Sequence, residues 1–161
     1  MLFETTKISA IEEEDQGHFN CAGFALDQEE WIDLDSWHAV ENVLDESEWD
    51  DYEEYQEYQE MIRLETEEIA ENCAHEIENR FCGVRRISSL MDLDDNEYAF
   101  VFRVGEDDFH FMRQYKDGWR HKRGGWPIED IEDCNVFRSE WDHGDTPYNS
   151  TMYMFAKAID R

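Results

Sequence analysis

The chain has no lysine or arginine between Lys7 and Arg63. Residues 8–62 nevertheless carry 19 aspartates and glutamates. Across all 161 residues, 42 acidic side chains face 14 basic ones, a formal net charge of −28. That sign excludes direct binding of nucleic-acid phosphates by a general basic surface, and attachment to an anionic membrane. No apolar run reaches the ~18–20 residues that a bilayer span needs. Met1–Glu14 lacks the basic start and apolar stretch of a secretory signal, so a cytoplasmic location is expected. Cys21, Cys73, Cys82 and Cys134 form no CxxC pair, and no HExxH is present. There is also no phosphate loop, no GxGxxG and no GxSxG elbow. Asp92-Leu93-Asp94-Asp95-Asn96 lacks the glycine and closing glutamate of a calcium loop. Neither a metal nor a cofactor is therefore expected. In a reducing compartment the four cysteines are expected as free thiols.

Apolar residues make up 40% of the chain and aromatic ones 14%. That is enough for a core despite the charge, and the length suits a single domain spanning 1–161. The acidic first third has three readings. It is a solvated face that keeps the protein soluble, an adaptation to high salt, or an imitation of nucleic-acid charge that fits a partner's basic groove.

Periodicity splits the chain into a helical part, about 20–82, and a β-rich part, about 84–158. A short helix is expected from Asn20 to Leu26 and a second from Ser36 to Leu44. Ser47 opens a long third helix, with Asp50 as its capping partner. Ile62, Ile69, Cys73, Ile77 and Phe81 follow the 3.6-residue period, and Gly83 ends it. Trp49, Tyr52, Tyr55 and Tyr58, interleaved with the acidic residues, are expected in the core, with a partner-facing surface as the alternative. Tyr98–Val104, Phe109–Tyr115 and Trp119–Arg123 read as strands, the last two joined by a turn at Asp117-Gly118. Pro127–Ile131 reads as a helical turn, and Val136-Phe137 and Thr151–Ala156 as further strands. The expected class is α+β, with a helical acidic N-terminal half packed on an antiparallel sheet.

The candidate chemistry is Cys21 with His110. A cysteine nucleophile acts as its thiolate, and a helix N-terminus favours that anion. Cys21 stands where a helix should begin. His110 stands on a strand between two phenylalanines, a rigid place from which a base could reach a nucleophile. Downstream, Arg113, Lys116, Arg120, Lys122 and Arg123 fall within eleven residues. This basic cluster suits an anionic substrate or a peptide carboxylate, and it equally suits pairing with the protein's own acidic third.

Asp15–Leu26 (DQGHFNCAGFAL) resembles the nucleophile segment of papain-like cysteine hydrolases, a superfamily that includes NlpC-type cell-wall amidases. His110–Gly125 (HFMRQYKDGWRHKRGG) is similar to a pattern in small bacterial and phage proteins: an Asn-Cys helix start, then a His strand, a Gly-Trp turn and Lys-x-Gly. The resemblance implies a papain-like fold, with Cys21 as nucleophile and His110 as base. Gln16 or Asn20, with the Cys21 N–H, would hold the oxyanion. The third catalytic group is His121, Asp130 or absent. A turn centred on Asp117-Gly118 pairs Gln114 with His121 and leaves the two histidines about 13 Å apart. Arg113, Arg120 and Lys122 are the candidate substrate-binding residues.

The expected function is a cysteine hydrolase or transferase acting on an amide or ester carbonyl of a peptide or protein substrate. The alternative is a non-catalytic acidic interaction protein of the phage- or plasmid-inhibitor type, meeting a basic partner through its acidic 45–60 face.

Overall fold

The computed structural model describes residues 11–40, 52–115, 117–143 and 146–159. Its centre is a six-stranded, fully antiparallel sheet in the order β1-β8-β2-β3-β4-β5. The strands are β1 (Val84–Ile87), β2 (Glu97–Val104), β3 (Phe109–Tyr115), β4 (Gly118–Lys122), β5 (Ile128–Ile131) and β8 (Tyr153–Ala158). A short hairpin of β6 (Trp141–His143) and β7 (Thr146–Tyr148) stands apart. The helices are α1 (Cys21–Ala25), α2 (Tyr52–Arg80) and α3 (Asp133–Val136). A mixed helical and antiparallel fold of the α+β class is what the sequence led us to expect.

The layers follow from alternation along β2 and β3. Phe100, Phe102, Phe109 and Phe111 face one side and join the buried faces of α1 and α2. From α2 come Tyr58, Ile62, Ile69, Cys73 and Ile77, spaced at helical turns. Ala99, Val101 and Met112 face the other side, against Val136 of α3, Trp141 of β6 and Tyr148 of β7. β2 is buried along its whole length because both faces are covered. Each fully buried large apolar side chain contributes about 1.5–3 kcal/mol.

α1 is short, and its cap explains why it starts where it does. Asn20 is extended (φ −102°, ψ −171°) and accepts a hydrogen bond from the Gly23 N–H. Downstream the chain folds back over the helix. A Cβ on Gly23 would lie 2.2 Å from the Glu30 carbonyl oxygen, so no side chain fits there.

Several expectations are corrected. Residues 37–40 are irregular, so the helix expected from Ser36 does not form there. The rest of that segment, the Ser47–Asp50 cap and Trp49 lie outside the described residues. Residues 128–131 form β5 instead of a helical turn, because they pair with β4 from Trp119↔Ile131 to Lys122↔Ile128. Val136 ends helix α3 instead of lying in a strand. Of the α2 tyrosines, Tyr58 is in the core, Tyr55 is half-buried and Tyr52 is exposed. The four cysteines are free thiols, with Cys21 and Cys73 buried.

Candidate active site

Cys21 is the first residue of α1 and is only 6% exposed. The Asn20 side chain fixes the backbone on either side of it. Its Oδ1 accepts from Gly23 N–H (3.0 Å) and Ile32 N–H (3.1 Å), and its Nδ2 donates to the Ile32 carbonyl (2.8 Å). All three bonds are buried, and losing them strands polar backbone groups. Asn20→Ala should therefore cost about 1–3 kcal/mol in urea unfolding, against a few tenths for a surface Asn.

β3 and β4 place the histidines. The register runs from Tyr115↔Gly118 to Met112↔His121. Gly118 is thus the first residue of β4 and not part of the turn. That one-residue difference moves His121 two positions along β3, from opposite Gln114 to opposite Met112. His121 then lies diagonal to His110 on the same face. His110 Nε2 and His121 Nδ1 are 2.9 Å apart and share a hydrogen bond. The expected 13 Å separation is overturned. The next strand continues the chain: Glu129 is the register partner of His121, with its Oε2 3.9 Å from His121 Nε2. His110 also packs against Tyr148 and, edge on, against Trp141.

Cys21 and His110 line one cleft of about 650 Å³, together with Asn20, Asp108, Phe109 and Tyr148. Trp31, Trp126 and Gly124 form its outer rim. The two chemical groups reach the cleft from opposite faces of β3. Phe109 and Phe111 pack with Cys21, whereas His110 faces β6 and β7. Both side chains line this cleft. The β3–β4 ladder stops at Met112↔His121, and beyond Lys122 the chain turns away through Gly124, whose φ is +54°.

The electrostatics differ from the expectation of an activated thiolate. Burial pushes the Cys21 thiol up to about 12. A backbone hydrogen bond from Phe111 pulls the other way, and the Asp108 charge adds to the rise. A five-residue helix enclosed on all sides gives up more in desolvation than its N-terminus returns. Burial also raises the Asp108 carboxyl above the usual range and the Tyr148 phenol above its own. Tyr148 donates to Asp108 Oδ2 at 3.3 Å.

Other expected site residues lie elsewhere. Gln16 uses its amide to bridge the Ile11 carbonyl and the Ile128 N–H, and it does not line the cleft. Asn20 lines the cleft, but its amide is committed to backbone, so oxyanion binding does not fall to it. Asp130 pairs with Arg120 on the opposite face of β4 from His121, at 2.9 Å, so it does not orient His110. Arg113, Arg120 and Lys122 share one face of the sheet but lie at different depths. Arg113 is fully buried, bonded to the Phe24 carbonyl (3.0 Å) and 3.5 Å from Asp27. Arg120 is bound by Asp117 and Asp130. Lys122 is fully buried beneath α1. None of these three lines the cleft, so their substrate-binding role is withdrawn. Arg123 does line it, and it pairs with Glu129 at 3.1 Å.

Sequence reasoning missed Glu129, Asp108 and Tyr148. Only Glu129 had a usable signal: read as a strand, 128–131 places residue 129 and not residue 130 beside His121. Among the described residues, no group of three or more His, Cys, Asp or Glu is arranged to hold a metal ion. Nor is any described helix long and apolar enough to cross a membrane. Comparison with protein-family models, curated proteins and solved structures finds no match.

Proposed function

We propose that the protein is a papain-like cysteine hydrolase or transferase that attacks an amide or ester carbonyl of a peptide or protein substrate through Cys21. The observation that carries this reading is the convergence of Cys21 and His110 on one cleft, with His110 backed by His121 and Glu129. The Glu129 charge favours the proton on His121 Nε2. His121 Nδ1 then accepts from His110 Nε2–H, and the lone pair of His110 lies on Nδ1, the nitrogen assigned as base. Because burial keeps Cys21 as a thiol, the proton leaves only as the sulfur attacks. His110 takes that proton as the C–S bond forms. It then returns the proton to the departing amine or alcohol, leaving a thioester that water hydrolyses or a second nucleophile intercepts. The Cys21 N–H is the oxyanion donor this reading assigns.

Cys73 supplies an internal control. Burial pushes its thiol up to about 12 as well, yet it sits on the buried core face of α2. Alkylation of each cysteine, read by peptide mass, should show Cys21 reacting faster than Cys73 near neutral pH. His110→Ala should slow Cys21 alone by about 10²–10⁴-fold. Equal rates at Cys21 and Cys73, unchanged in the variant, would sink the enzyme reading.

The second reading is a non-catalytic acidic interaction protein. It is favoured by the exposed carboxylates Glu53, Glu54, Glu57 and Glu60 on the first turns of α2. They form the described part of the acidic 45–60 face, and they suit a basic protein groove.

A further inference from the structure

Lys122 is a fully buried lysine directly beneath the residues that carry Cys21. Its Nζ donates to the Phe19 carbonyl, two residues before the sulfur, and to the Gly124 carbonyl on the cleft rim. The ammonium also lies 4.6 Å from the centre of the Phe19 ring. These contacts join two segments 103 residues apart. An ammonium carries three N–H donors, and these carbonyls take two. Lys122 and Cys21 are close enough that each perturbs the ionisation of the other. In an enclosed, weakly screened site such a charge acts on its neighbours more strongly than at the surface.

We propose that Lys122 is the positioning cation of the Cys21 site: it clamps the α1 start to the Gly124 rim and supplies fixed positive charge to the sulfur as that sulfur loses its proton. This assignment rests on the cysteine hydrolase reading and adds a residue to it. His110 accepts the proton, and Lys122 stabilises the negative charge that remains. The lysine is not the base, because its donors are directed to carbonyls. Burial pulls its ammonium down to about 8, so it is still charged at neutral pH. Charge and clamp can be separated. Arg keeps the charge, whereas Gln keeps a donor for the carbonyls and loses the charge.

The test uses two alkylating reagents on the whole protein at neutral pH, anionic iodoacetate and neutral iodoacetamide, read at the Cys21 peptide. A cation beside the sulfur raises the iodoacetate rate relative to iodoacetamide. Lys122→Gln should lower that ratio by about threefold or more, and Lys122→Arg should hold it near the wild-type value. A merely structural lysine would slow both reagents alike and leave the ratio unmoved. An unchanged ratio in Lys122→Gln, or an Arg variant that loses as much as Gln, overturns the proposal. A wild-type measurement covers the case in which a variant does not fold. The side-chain ammonium ¹⁵N resonance of Lys122 should shift when Cys21 is carboxamidomethylated, and an unmoved resonance overturns the proposal. His110→Ala tests the underlying reading separately, because losing His110 removes the proton acceptor without removing the Lys122 charge.

Discussion

Cys21→Ala is expected to lower hydrolysis of an activated ester or peptide amide by at least about 10³-fold, with the fold intact. The size follows from the mechanism. In the proposed mechanism His110, His121 and Glu129 act only by serving the sulfur, so removing the nucleophile makes their arrangement useless at once. Double variants should therefore fall little below the single one. Cys21→Ala combined with His110→Ala should lose no more than about a further factor of ten. Cys21→Ala removes a single sulfur atom, and that small volume should leave thermal unfolding close to wild type. Rates no higher than background in both wild type and Cys21→Ala would transfer the function to the acidic face of α2. Charge reversal at Glu53, Glu54 and Glu57 would then be the informative experiment.

Arg113→Ala should produce the largest loss of stability among single substitutions in the sheet, about 3–5 kcal/mol. Thermal unfolding should fall by roughly 6–20 °C. The guanidinium is wholly enclosed. Its centre lies 4.0 Å from the middle of the Tyr98 ring, 5.0 Å from Tyr115 and 5.7 Å from Phe24. Its Nη1 donates to the Phe24 carbonyl, and Asp27 stands 3.5 Å away. Arg113 therefore joins the end of α1 to the centre of β3, and each ring contact adds about 0.5–2 kcal/mol. Truncation opens a cavity, leaves the Phe24 carbonyl without this donor and takes a cation from beside a largely buried aspartate. A fall under about 3 °C would show that α1 is held to the sheet by its apolar contacts alone. Arg113→Lys should recover only part of the loss, because a compact ammonium cannot lie flat among three rings.

Local signals in the sequence were read well, and signals that depend on pairing were not. Asn20 before Cys21-Ala-Gly announces a capped helix, and the helix and its cap are both present. Alternating aromatics announce β2 and β3, whose bounds, 97–104 and 109–115, differ from those expected by at most one residue. The hairpin register was misjudged by one residue. Asp-Gly favours the tight turn, but the Gly118 amide and carbonyl are taken into β4 instead. In a sheet that small error decides which side chains meet. It hid the His110–His121 contact, and reading 127–131 as a helical turn put Asp130 forward where Glu129 stands. The basic cluster failed for a different reason. Arg113, Arg120 and Lys122 share one face of the sheet, but Arg113 and Lys122 are enclosed beneath α1 while Arg120 is left part-exposed, a difference of depth that a count of charges does not report. The Cys21 thiol was misjudged because desolvation is a property of the packed protein, which a helix-start pattern does not report.

Two of the buried side chains described above, Arg113 and Lys122, carry positive charge, and Arg103 of β2 and Lys157 of β8 are buried cations as well. Among the described residues, Glu97 is the only buried carboxylate matching them at that level of enclosure. Among the described residues the interior thus holds cations, while every carboxylate but Glu97 is at least partly exposed. Solvent meets a shell more uniformly negative than the composition implies, surrounded by a dense cloud of mobile counter-ions. Encounter between two copies is opposed by this shell, and approach of an anionic molecule to the cleft is slowed by it. A cationic or neutral chain is admitted faster, by a margin that shrinks as added salt thins the cloud to a few ångströms.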